Sequence, residues 1–202
     1  MTQPPFARRP WLLPLGVFLL VLGVGAGGWL FMSHGTERIA RIGGPFTLVD
    51  GSGHVVTDRD LRGRYVLVYF GYTFCPDVCP TTLATIAGAL ERLEKRADRL
   101  QPVFITVDPQ RDTPKVVASY AAAFSPRILG LTGSPEQVAR VAGEYRVYYA
   151  KHRTGAGPDD YTMDHSSIIY LMDPNGRFVA PIPADESAPK MAADIARHMG
   201  ND

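Results

Sequence analysis

From Trp11 to Met32 the chain runs for 22 residues without one charged side chain, and nothing else in its 202 residues limits its fold as much. A helix of that run is about 33 Å long and matches a hydrocarbon core of roughly 30 Å. Secretory apolar regions stop near 15 residues at a small-residue cleavage site. Here Trp29, Leu30, Phe31 and Met32 continue the run beyond Gly27 and Gly28, so the stretch reads as a retained membrane span. Arg8 and Arg9 are the only charges before it and keep the N-terminus cytoplasmic, which places the rest of the chain across the membrane. Only ten residues precede the span, too few for a mitochondrial transit peptide, so a bacterial inner membrane with a periplasmic domain is expected. The expected division is 1–10 cytoplasmic N-terminus, 11–32 transmembrane helix, 33–41 polar spacer and 42–202 exported domain.

That domain can bury a core, since 46% of the chain is hydrophobic. Its 21 Lys and Arg balance 20 Asp and Glu with no basic cluster, which excludes a nucleic-acid partner. Strands are expected at Phe46–Val49, Tyr65–Tyr72, Val103–Val107, Ile168–Met172 and Phe178–Ile182, from their β-branched and aromatic content. Pro174-Asn175-Gly176 joins the last two as a hairpin. Helical spacing marks Thr81–Leu93, Pro114–Phe124, Pro135–Tyr145 and Ala188–Met199. A parallel part followed by a hairpin and a final helix is an α/β layout, in thioredoxin-like order.

The only two cysteines, Cys75 and Cys79, stand four apart just after the second strand. Each precedes a proline, which disfavours the α conformation, so Cys75 to Cys79 reads as a turn with Pro80 opening the helix. Both sulfurs then lie at a helix N-terminus, which favours thiolate. A structural disulfide is the plain alternative, but so short a loop yields only about 2 kcal/mol. Structural zinc wants a further Cys/His pair at short spacing, and none exists. Of five histidines only His165 is well placed: an antiparallel strand beginning near Ser167 starts at the sheet edge where the strand before the cysteines ends. Two thiolates and an imidazole form a soft site that selects copper(I) over calcium, magnesium or manganese. Asp77 and Asp164 flank it, either as solvated turn carboxylates or as groups that tune the metal and add a ligand in a copper(II) form. Asp108 to Pro114 lies on the same edge and reads as an Arg111 salt link with Thr113 capping the helix, or as a stretch that docks a partner. His34 and His198 read as surface groups, and His54 and His152 stay unassigned.

Gly71-Tyr72-Thr73-Phe74-Cys75-Pro76-Asp77-Val78-Cys79-Pro80-Thr81-Thr82 resembles the signature of the Sco/SenC family. Val107 to Pro114 and Asp160 to Ser166 resemble that family's second motif and its histidine loop. The resemblance implies a thioredoxin-like, membrane-tethered copper-binding domain that helps assemble the binuclear copper A centre of cytochrome c oxidase subunit II. It matches Cys75, Cys79 and His165 to the copper ligands. It also implies a periplasmic copper donor and a thioredoxin-like reductant as further partners. The alternative is a thiol-disulfide reductase that keeps the cysteines of the apo-oxidase or of a copper chaperone reduced, with Cys75 and Cys79 as its redox pair. A metallochaperone rather than an enzyme is favoured, because thioredoxin-type enzymes carry C-x-x-C and a proline where this chain has Met163-Asp164-His165. A peroxidase of the same fold would need a threonine where Tyr72 stands.

Overall fold

The structure, a computed structural model, describes residues 42–200. The expected cytoplasmic segment, span and spacer lie outside them, and among the described residues no helix is long and apolar enough to cross a membrane. The centre of the domain is β3 (Tyr65–Gly71), in which every residue after Tyr65 is buried, as befits a strand covered on both faces. From it α1 (Val78–Leu93) and a 3-10 turn (Glu94–Arg99) lead to β4 (Leu100–Thr106), parallel to β3. A second crossover, α2 (Pro114–Phe124), leads to β5 (Leu129–Leu131). On the other side β8 (Ile168–Met172) runs antiparallel to β3, and β9 (Phe178–Pro183) antiparallel to β8. The sheet order is β5-β4-β3-β8-β9. Between β8 and β9 the Asp173 carboxylate accepts the backbone N–H groups of Asn175 and Arg177, and Gly176 supplies a positive φ of 71°.

Alternation along β3 sends Tyr69 and Gly71 to one face, against Phe104 and α1, while Phe70 meets Tyr145 on the other at 5.4 Å between ring centroids. Tyr145 ends α3 (Pro135–Glu144), which a Ser134/Gln137 capping box starts. The C-terminal α4 (Ala188–Met199) packs on α1. Helices thus cover both faces of a mixed sheet, the thioredoxin-like α/β fold expected. Two ribbons stand outside it: β1 (Thr47–Val49) with β2 (Val55–Thr57), and β6 (Tyr149–Arg153) with β7 (Tyr161–His165).

Two expectations change. Helix α1 begins at Val78, so Cys79 is already helical and Pro80 is the third helical residue rather than the first. The first four N–H groups of a helix have no intrahelical acceptor, so Pro80 gives up no hydrogen bond there. His165 ends a strand rather than lying in a loop.

Candidate metal centre

The site is assembled where β3 gives way to α1. Gly71 ends β3 facing the helix, and a Cβ there would lie 2.7 Å from the Cys79 sulfur and 2.9 Å from the Phe104 ring. Only a glycine lets the sulfur come this close to the strand. Two residues on, Thr73 is fixed by the buried carboxylate of Asp112, which accepts the Thr73 N–H at 3.0 Å, the Thr73 hydroxyl at 2.6 Å and the Thr106 hydroxyl at 2.6 Å. Burial pushes the Asp112 pKa up, and the hydrogen bonds oppose it. The chain then turns, with Cys75 N–H donating to the Tyr72 carbonyl at 3.3 Å, and enters α1.

These constraints bring three soft donors together. The Cys79 N–H points at the Cys75 sulfur at 3.4 Å, and the Cys79 sulfur lies 3.4 Å from His165 Nε2. All three ligand atoms lie within 4.8 Å of one another. Metal–sulfur bonds of about 2.3 Å and a metal–nitrogen bond of about 2.0 Å, arranged in a plane, would set the donors roughly 4 Å apart. The group therefore needs little adjustment to enclose an ion.

Cys79 is buried, while Cys75 and His165 are half-buried. Burial pushes the Cys79 thiol up to about 12, against the thiolate expected for it at the helix N-terminus. Burial also lowers the His165 pKa, against the opposing Ser166 carbonyl and Asp164 carboxylate, and favours the neutral ring a metal requires. Nδ1 lies 3.2 Å from the Ser166 carbonyl. A proton donated there leaves the Nε2 lone pair facing the Cys79 sulfur. Tyr69 and Tyr72 stand edge-on to the imidazole, with centroids 6.3 and 6.0 Å away.

The Asp108–Pro114 stretch contains the predicted salt link, Arg111 Nε to Asp108 at 2.6 Å, and the predicted Thr113 cap. It also does more than cap a helix. The Arg111 guanidinium lies 3.7 Å from the Tyr161 ring centroid and 4.6 Å from that of Phe74, and donates to the Tyr161 carbonyl at 3.0 Å. The Tyr161 hydroxyl donates to Asp108 at 2.9 Å. Arg111 thus ties the cysteine loop to the ribbon that carries His165.

Asp77 is exposed, and Asp164 points outward to pair with His152 at 2.9 Å, so neither joins the three donors. His54 pairs with Asp50, and His198 lies exposed near the end of α4. His34 lies outside the described residues. Sequence reasoning missed Gly71, Asp112 and Tyr161. The strand-ending glycine just before the cysteine loop was the available hint for the first, whereas the other two act across 39 and 53 residues.

The family model described as SCO1/SenC matches residues 34–200. The mitochondrial SCO2 homologue of Bos taurus is 42% identical over 198 residues, which span 89% of this chain and 73% of that protein. Among solved structures, Bradyrhizobium japonicum ScoI with copper bound is 48% identical, with a TM-score of 0.72 over 78% of this chain and 99% of its own. Yeast Sco1 with copper bound is 39% identical, with a TM-score of 0.73 over 79% and 88%.

Proposed function

Since this chain belongs to the SCO1/SenC family, we propose that it is a membrane-tethered copper chaperone holding copper(I) as cargo through Cys75, Cys79 and His165. Residues 11–32 anchor it in a bacterial inner membrane, with the domain on the periplasmic side. Its acceptor is subunit II of cytochrome c oxidase, whose binuclear copper A centre it helps assemble, and a periplasmic donor and a thioredoxin-like reductant serve it. The observation that carries this reading is the convergence of the three donors within 4.8 Å, in a chain 48% identical to a copper-bound ScoI. Uptake displaces the protons of the two thiols, and the charge of the ion offsets the cost of ionising buried Cys79. Three protein donors leave room for a fourth, incoming ligand, so a partner can bind the ion before an old ligand leaves.

The rival reading is the thiol-disulfide reductase. Exchange needs only the two thiols, whereas a carrier also uses the imidazole, and His165 Nε2 lies 3.4 Å from the Cys79 sulfur. That third donor favours the carrier. In cells lacking the wild-type protein, His165→Ala is expected to be as defective in oxidase assembly as Cys75→Ser or Cys79→Ser, with excess copper restoring part of it. Normal assembly by His165→Ala, alongside cysteine variants rescued by reductant, would establish the reductase instead. A C-terminal alkaline phosphatase fusion is expected to be active, and an inactive one would reverse the orientation.

A further inference from the structure

Among the described residues six large apolar side chains are exposed, and four of them surround the three donors. Phe74, 59% exposed, precedes Cys75; Val78, 43% exposed, precedes Cys79; and Ile168, 41% exposed, opens β8 just after the histidine. Tyr148, 64% exposed, exchanges hydrogen bonds with Ser166, whose N–H donates to its carbonyl at 3.0 Å and whose hydroxyl accepts its N–H at 3.2 Å. Apolar side chains scattered singly need no account, but a cluster around one site marks an interaction surface.

The patch continues into a groove of about 550 Å3, walled by Val78, Ile168, Pro181 and Pro183. Exposed Asp77 and Asp185 stand on its rim, and among the described residues no lysine or arginine lines it. The wall formed by β9 is the edge of the sheet. Prolines at 181 and 183 take two N–H donors from that edge, so a segment lying here is not recruited as another strand. It must be held by its side chains.

We propose that this groove seats the acceptor of the carrier reading above: an extended segment of a partner protein with aliphatic residues beside its thiols and a lysine or arginine to meet Asp77 or Asp185. The apolar walls fit the aliphatic residues, and the two carboxylates on the rim, unpaired among the described residues, fit the cation. Seated so, the segment brings its thiols to the edge of the donor group. An incoming thiol gives up its proton and binds the ion, a departing Cys75 or Cys79 thiolate takes a proton, and the copper stays copper(I), so no electron acceptor is needed.

The test uses the full chain in lipid nanodiscs, loaded with copper(I), and three acceptors. Two are synthetic dithiol peptides, one flanked by leucine and lysine and the other by serine and glutamate; the third is glutathione, too small to need the groove. The leucine-lysine peptide is expected to draw copper about tenfold faster than the serine-glutamate peptide, as a partly buried side chain warrants. Ile168→Lys and Asp185→Lys are each expected to erase most of that difference while leaving copper content and transfer to glutathione unchanged. Equal rates for the two peptides, or variants that keep the preference, would overturn the groove. If Ile168→Lys instead turned a dimer into monomers, the face would be an interface between copies and the proposal would fail. A wild-type chain that holds no copper would refute the carrier reading itself, a result distinct from either.

Discussion

Cys79 stands on a helix packed against the central sheet, its sulfur buried in the notch left by Gly71. His165 ends a two-stranded ribbon outside that sheet, and the ribbon turns Lys151, His152, Thr162 and Asp164 to solvent. A lone pair of strands is marginal in water. This one is held by buried Tyr161 and Met163 and by the Arg111–Asp108–Tyr161 clamp. The position of the cysteine half therefore follows from the global fold, and that of the histidine half from a few local contacts. A carrier benefits from the asymmetry, because the histidine can be released without unfolding the part that keeps hold of the ion.

The largest effect is expected on the cysteine side. Asp112→Ala would remove the acceptor of the Thr73 N–H and of two hydroxyls, at about 3 kcal/mol for the buried groups left unpaired. Denaturant unfolding reads this directly. A loss too small to measure would mean that the loop is anchored elsewhere. Next comes Gly71→Ala, whose methyl group meets the Cys79 sulfur and the Phe104 ring. About 2 kcal/mol of destabilisation is expected, together with weaker copper retention. Full retention would separate the glycine from the site.

The histidine side should behave differently. Arg111→Met leaves the buried Asp108 carboxylate without its cation, at about 2 kcal/mol in global unfolding, and amide exchange is expected to speed up more in Tyr161–His165 than in Tyr65–Gly71. Uniform acceleration of both segments would abolish the distinction between the halves.

The smallest effect is a pH dependence. The folded-state pKa of Asp112 lies above its unfolded value of 3.8, so the protonated carboxyl favours the folded state. That contribution is fully present below 3.8 and lost as pH rises through the folded value. Relative to Asp112→Asn, the wild type should therefore be more stable near pH 4 than near pH 7, as unfolding at the two pH values would show. The reverse slope would mean that the hydrogen bonds from Thr73 and Thr106 outweigh burial.

The contrast between the halves also decides what could be read from the chain beforehand. Helices α2 and α4 were placed to the residue, because each has a proline in its first turn after Thr113 or Ser187 and a periodic apolar face. Strand β3 was found from its apolar run. Strands β2, β5, β6 and β7 were not: Val55-Val56-Thr57 and Leu129-Gly130-Leu131 are too short to show a period, and Tyr149–Arg153 leaves three of its five residues exposed. The cysteines announced themselves by spacing, and His165 was located from the edge at which β8 begins. Asp112 was hidden because its neighbours Thr113 and Pro114 already had a use in capping α2. Its role depends on Thr73, which only the folded chain brings near.

X-ray absorption at the copper edge of the loaded full chain tests the donor set most directly. Two sulfur scatterers and one nitrogen are expected, with the nitrogen lost and retention weakened in His165→Ala. A spectrum of sulfur alone in the wild type, or an unchanged one in that variant, would remove His165 from the site and with it the asymmetry on which the account rests.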